Sequence, residues 1–351
     1  MDRDAVDALR GADDGSRPPG TDASGRVAHG GTEDPWLVDF SANVNPHIPD
    51  GTARVYEAAL SAARSHPSDD YCEFRAAAAE SLDCEAPQII PTAGALAAIR
   101  LVVGTAVGAG DAVLVPFPSF GEYAREVRLQ GGEPTFVRDA DLLAADPAEH
   151  ALAIVCNPSN PTGLAYDPSE LRAFADRCRA AGTLLLVDEA FLGFTEHPSL
   201  AGREGVVAVR SLANLYGLPG LRAGFAVAAG ECRERLETAR LPRAIGAPAA
   251  AVGAHCLAAD EFVADTRERV RTERARMRDQ LSTRFEVRPS AAPFLLLDAG
   301  TPDAVDDLLE EAREAGLSLR DARTFRGLDS HVRVAVRLPD ENDRLLDALA
   351  V

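Results

Sequence analysis

The chain has 351 residues, 46% of them hydrophobic, and its 55 Asp and Glu outnumber 36 basic residues, all arginine, for a formal charge of −19. That length can bury one large core and a smaller one, which favours an enzyme subunit of about two domains over a small binding module. The charge disfavours nucleic acid and anionic membranes as partners, and no apolar run reaches the ~18 residues of a spanning helix or forms a signal core, so the protein reads as cytoplasmic.

Residues 1–35 are rich in Asp, Gly, Ser and Pro and read as a mobile, acidic arm, with His29-Gly30-Gly31 at its far end as an exception. Residues 36–50 read as an extended segment joining the smaller domain. From 52 onward the pattern alternates: helices at 52–64, 73–82, 95–107 and 168–181, strands at 88–91, 112–115, 133–137, 152–156, 183–187, 206–210 and 223–228. Most of these strands are short continuous apolar runs, as expected when helices cover both faces of a sheet. Residues 51–243 are therefore predicted to be an α/β domain with a doubly wound, mostly parallel sheet. After Pro242 come helices at 248–259 and 261–284, then short strands at 285–288, 294–297, 318–320 and 332–336 with helices at 302–316 and from 339. That order predicts a smaller α+β domain over 244–351. The six cysteines are scattered without a Cys-x-x-Cys pair and read as reduced; no histidine–carboxylate spacing supports a metal site.

The candidate chemistry falls at strand ends, where open α/β sheets bind ligands. Gly94-Ala95 sits where a strand feeds a helix, so its backbone N–H groups and the helix dipole suit a phosphate. Asn157–Gly163 reads Asn-Pro-Ser-Asn-Pro-Thr-Gly, Val187–Phe191 reads Val-Asp-Glu-Ala-Phe, and 211–224 reads Ser-Leu-Ala-Asn-Leu-Tyr-Gly-Leu-Pro-Gly-Leu-Arg-Ala-Gly. Together with Phe120 in Pro-Ser-Phe, this ordered set resembles the cofactor floor of the aspartate aminotransferase superfamily, the fold-type-I enzymes of pyridoxal 5′-phosphate (PLP). The resemblance implies roles. Asp188 would pair with the protonated pyridine nitrogen, Asn160 would donate to the phenolic oxygen, Phe120 would stack on the ring, and Gly94, Ala95, Ser211 and Arg222 would hold the phosphate. The large domain would be the PLP-binding one, and a homodimer would complete the pocket, with the loop at 65–71 reaching across.

Within the superfamily the chain is most similar to threonine-phosphate decarboxylase of cobalamin biosynthesis and to histidinol-phosphate aminotransferase. Four features favour the decarboxylase: His29-Gly30-Gly31 ahead of Asp39-Phe40-Ser41-Ala42-Asn43-Val44-Asn45-Pro46; phenylalanine at 191; Leu319-Arg320-Asp321 followed by 325–329; and Arg333-Val-Ala-Val-Arg337. The implied substrate is a phosphorylated amino acid, with Arg333 on its carboxylate, Arg320 and His29 near its phosphate, and Asn43 beside them. The alternative for the two arginines is surface ion pairing. Three positions depart from the family: Ala213 replaces a hydroxyl residue that usually helps bind the phosphate, His66 stands where relatives often have a Tyr-Pro that reaches into the neighbouring subunit, and the third is Asn214. Where relatives carry the lysine that holds PLP as an imine, this chain has Asn214, and it has no lysine anywhere. Any bound PLP is then held without a covalent bond, and a non-catalytic PLP- or partner-binding homologue stands beside the two enzyme readings.

The acidity fits a surface adapted to a salt-rich cytoplasm, where carboxylates stay hydrated. A charge of −19 on one subunit repels itself and ions screen it. The midpoint of thermal unfolding is therefore expected to rise from low to molar salt; a midpoint indifferent to salt would contradict this.

Overall fold

The computed structural model describes residues 1–11, 20–22 and 25–351. Its strands are the short apolar runs, because these can be buried on both faces once helices pack above and below. A short strand, β1 (Val38–Asp39), is followed by seven that form one sheet: β2 (Ile89–Thr92), β3 (Ala112–Phe117), β4 (Glu133–Arg138), β5 (Leu152–Cys156), β6 (Leu184–Asp188), β7 (Val206–Ser211) and β8 (Gly224–Val227). Their order is β2-β8-β7-β6-β5-β3-β4. All neighbours from β7 to β4 run parallel, whereas β8 is antiparallel to both β2 and β7.

Alternation along the central strands divides the packing. Ile154 and Leu186 face one way, with Ile99, Val102 and Val103 of the helix Ala95–Ala106. Ala153, Val155, Leu185 and Val187 face the other, with Leu171 and Phe174 of the helix Pro168–Ala181. That second helix starts and stops on local chemistry. Asp167 accepts from the N–H groups of Ser169 and Glu170, Pro168 fills the first turn, and Gly182 takes the left-handed conformation at φ 78° that ends it.

Five further strands follow: β9 (Glu286–Val287), β10 (Phe294–Asp298), β11 (Leu317–Ser318), β12 (Arg320–Asp321) and β13 (His331–Ala335). An antiparallel sheet has the order β12-β13-β10-β9, while β1 pairs in parallel with β11. The segment after β1 stays with this layer, since Phe40 donates to Ser318 O and Ala335 N donates to Phe40 O. It then crosses to the large sheet. Asn45 N donates to Asn214 O, and its side-chain amide donates to Leu215 O and Thr266 Oγ1. Gly217 is needed there: it sits at φ 67°, and a Cβ would lie 2.5 Å from His47 O and 2.6 Å from Asn45 O.

The amino-terminal residues read as a mobile arm carry a helix at Arg3–Gly11, with Asp2 N donating to Leu129 O, and a Thr21–Val27 bridge. Residues 12–19 lie outside the described residues. In the loop at 65–71, Tyr71 is buried, donating to Ile245 O and accepting from Ile245 N, and Asp69 pairs with Arg240, while His66 is exposed. No helix among the described residues is long and apolar enough to cross a membrane.

Candidate active site

The carboxyl ends of β2, β3, β5, β6 and β7 meet at one edge of the large sheet, because β8 is antiparallel to both of its neighbours and so leaves β2 aligned with β7. A cavity of about 700 Å³ opens there, a volume suited to a small ligand. Every candidate from the sequence except Gly94 lines it: His29, Asn43, Ala95, Phe120, Asn160, Asp188, Ser211, Asn214, Arg222, Arg320 and Arg333.

One end of the cavity is a cradle for an anion. The register pairs Gly224 with both Thr92 and Ser211, which sets the start of the helix Ala95–Ala106 beside Ser211. Two glycines allow the approach: a Cβ on Gly94 would lie 2.9 Å from Arg222 Nη2, and one on Gly224 would lie 2.9 Å from Ala95 N. Gly94 is therefore part of the cradle although it does not line the cavity. Arg222, at φ 54°, donates to Pro219 O at 3.1 Å, and Ser211 Oγ accepts from Ala213 N at 3.1 Å. Helix dipole, hydroxyl and guanidinium thus converge without a carboxylate among them.

Asp188, the last residue of β6, forms the floor. It is buried, Tyr123 OH donates to its Oδ2 at 2.6 Å, and Ala190 N donates to Oδ1 at 3.0 Å. Burial raises its pKa; the Tyr123 hydrogen bond, next in size, opposes this, and the net shift is upward. A cationic N–H placed against this carboxylate would relieve the cost of burying it. Phe120 meets Tyr123 edge-on with centroids 5.5 Å apart, and His29 stands edge-on to Phe120 at 5.6 Å.

The wall facing the floor carries two arginines from the second sheet, in register across β12 and β13. Arg333 Nη1 donates to Asn160 Oδ1 at 2.5 Å and Nη2 to Ser41 O at 2.7 Å. Arg320 donates to His29 O at 2.8 Å, Ala28 O at 2.7 Å and Thr324 Oγ1 at 3.0 Å. The alternative of surface ion pairing is thereby corrected, since both arginines are buried and neither has a carboxylate partner among the described residues. Burial, with the neighbouring Arg320 charge, pushes the Arg333 pKa down to about 9. The Nε atoms of both arginines and Oδ1 of Asn43 are buried without a hydrogen-bond partner. Such orphans in one cavity ask for a ligand that offers acceptors to the first two and a donor to the third.

Two placements refine the sequence reading. The His29 imidazole sits 3.2 Å from the buried Glu122 carboxylate, and it is the His29 carbonyl that touches Arg320. Asn160 Oδ1 is taken by Arg333, which leaves the amide N–H₂ as its donor. Asn214 lines the cavity with its carbonyl accepting from Asn45 N at 2.9 Å. Sequence reasoning missed Tyr123 and Glu122. The three-residue step from Phe120 to Tyr123, which puts both on one side of a helical turn, was the available signal for the first.

A model of the family Aminotransferase class I and II matches residues 37–349. Histidinol-phosphate aminotransferase 1 of Archaeoglobus fulgidus is 28% identical over 320 residues, covering 89% of this chain and 98% of that protein. Threonine-phosphate decarboxylase of Salmonella typhimurium is 31% identical over 332 residues, covering 89% and 90%. Among solved structures, L-threonine-O-3-phosphate decarboxylase from Porphyromonas gingivalis superposes with a TM-score of 0.80 at 26% identity, covering 89% of this chain and 98% of that one. Histidinol-phosphate aminotransferase from Sinorhizobium meliloti, in complex with pyridoxal-5′-phosphate, has the same TM-score at 20% identity and shares the fold.

The raised pKa of Asp188 has a stability consequence with a definite sign. Because the folded-state value lies above the unfolded one, the contribution of Asp188 to stability is complete below the unfolded pKa and is lost as pH rises through the folded value. Above that range Asp188→Asn is expected to leave the thermal midpoint of the ligand-free protein unchanged or raise it by a few degrees. It should also weaken PLP binding at least about tenfold, about 1.4 kcal/mol. A lowered midpoint together with unchanged affinity would contradict both the sign and the role.

Proposed function

Because the chain belongs to the aminotransferase class I and II family, we propose that it is a PLP-binding decarboxylase of O-phospho-amino acids, acting on L-threonine O-3-phosphate to give (R)-1-aminopropan-2-yl phosphate. The family's cofactor is PLP, and the residues at the site fit its ring and phosphate: a buried carboxylate for a cationic ring nitrogen, a stacking phenylalanine, and a helix start with Ser211 and Arg222 for the phosphate. Bound PLP supplies an electron sink for negative charge developing at the substrate's α-carbon. Asp188 holds the proton on the ring nitrogen, and Asn160 donates through its amide. Arg333 binds the substrate carboxylate and Arg320 its phosphate, with the arm carbonyls at 28 and 29 keeping the second guanidinium in place.

The observation that carries this reading is the pair of buried arginines, each without an ion-pair partner among the described residues and each with an unpartnered Nε. O-Phosphothreonine brings two anionic groups, a carboxylate and a phosphate; histidinol phosphate brings one. The absent lysine points the same way. Amino-group transfer needs a base to take the proton from the α-carbon, and Asn214 cannot serve, whereas loss of CO₂ needs no base on that carbon.

The test is to compare wild type and Asn214→Lys with O-phosphothreonine, and separately with histidinol phosphate plus 2-oxoglutarate. Wild type should bind PLP that borohydride does not fix to the chain. Asn214→Lys should fix it, and turnover should rise by about a hundredfold or more as a proton carrier and a covalent hold are restored. A wild type that decarboxylates at an enzyme-like rate and is slowed by the lysine would make Asn214 an adaptation and overturn this account of it. Failure of both proteins to bind PLP would remove the cofactor assignment.

A further inference from the structure

A second, smaller cavity lies beside the substrate cavity, behind the arm. Its walls come from β3 and β4, the helix Glu122–Leu129, the turn at 324–326 and the arm residues Gly25 and Val27. Three of its lining residues are arginines, Arg125, Arg128 and Arg326, and none is an Asp or Glu. That is a conspicuous local excess in a chain where acids outnumber bases 55 to 36. Arg125 is neutralised by Glu122 and Glu126 and donates to Gly25 O. Arg128 and Arg326 have no carboxylate partner among the described residues. Both instead lie against the one ring of Phe136, their Cζ atoms 5.8 Å and 4.1 Å from its centroid. Burial, and after it the charge of Arg326, lowers the pKa of Arg128.

Two guanidinium groups that share a ring and repel each other in a half-buried setting are held at a cost that a counter-anion removes. The space between the walls limits what that anion can be. It measures about 40 Å³, where one water needs roughly 10–15 Å³ by the same measure, so it has room for a small ion with a water or two beside it. The floor, made by Val115, Phe117 and Phe136, is apolar. A weakly hydrated guanidinium over such a floor suits a weakly hydrated monovalent anion.

We propose that this cavity binds a single halide-class anion between Arg128 and Arg326, and that the ion clasps the arm and the 324–326 turn onto the body of the protein. Thr324, Val27 and Phe120 line both cavities, and Thr324 also accepts from Arg320. Occupancy therefore steadies the elements that hold Arg320 over the substrate cavity. The site does not depend on PLP, so it stands or falls apart from the decarboxylase reading.

The experiment compares thermal unfolding in sodium chloride and in sodium gluconate at matched ionic strength, for wild type and Arg326→Gln. General screening is the same in both salts, while gluconate is too large for the cavity. Wild type should unfold several degrees higher in chloride, with a difference that saturates as chloride rises. Arg326→Gln should lose the difference and keep the general gain with salt. Equal midpoints in the two salts for wild type, or an undiminished difference in Arg326→Gln, overturns the proposal. Should the variant not fold, crystals of wild type grown in bromide decide. Anomalous density between Arg128 and Arg326, together with the chloride effect, supports the site; its absence, or density without any solution effect and so an adventitious ion only, overturns it.

Discussion

Arg320 and Arg333 face each other across β12 and β13, buried and without an ion-pair partner among the described residues, and much of the site is arranged around that repulsion. A protein with so many acids could have neutralised them and does not. Their N–H groups are met instead by uncharged acceptors drawn from distant stretches: carbonyls at 28, 29 and 41, Thr324 Oγ1 and Asn160 Oδ1. Carbonyl and amide oxygens satisfy hydrogen bonds while leaving most of the positive charge uncancelled. The arm, the segment after β1 and the loop after β5 are thereby tied to one point, and the charge left over is available to an anionic ligand.

The opposite side of the cavity solves the complementary problem. Asp188 is a buried carboxylate without an ion-pair partner among the described residues, where it accepts from Tyr123 OH and the Ala190 backbone N–H. Uncompensated negative charge on the floor and uncompensated positive charge on the wall and in the cradle match a ligand with a cationic ring nitrogen at one place and anions at others. Asn214 does not disturb this electrostatic frame, being a neutral side chain among groups that act by charge and hydrogen bond. What it removes is chemistry, namely the amine that would bond the cofactor and carry a proton. On the proposed reading, binding and bond-making are thus separated in this chain.

Much of this was legible in the sequence, for a physical reason. Asp188, Ser211, Asn160, Phe120 and Gly94 stand at or just beyond the carboxyl ends of apolar runs, and a mostly parallel sheet brings those ends to one edge whatever the details of pairing. The direction of β8 was not legible, since a run buried on both faces looks the same parallel or antiparallel, although that reversal is what sets Arg222 beside the helix at Ala95. The partners of the ionisable groups were equally hidden. Tyr123 with Asp188 and Arg320 with the arm join residues 65 and about 290 apart, and nothing local in sequence signals such contacts. The helix at Arg3–Gly11 lies in a stretch whose composition suggested only a solvated arm.

The central claim is that the cavity recognises PLP joined to a substrate bearing two anions, with Asn214 sparing recognition and removing the covalent hold and the proton carrier. It is tested most directly by calorimetric titration of wild type with a stable, amine-linked conjugate of PLP and O-phosphothreonine, alongside PLP alone and the matching conjugate of histidinol phosphate. No lysine is needed for any of the three to bind. The phosphothreonine conjugate should bind tightest, by about tenfold or more over each of the others, and Arg333→Gln should erase most of its advantage. Equal affinity for PLP and both conjugates would contradict the account.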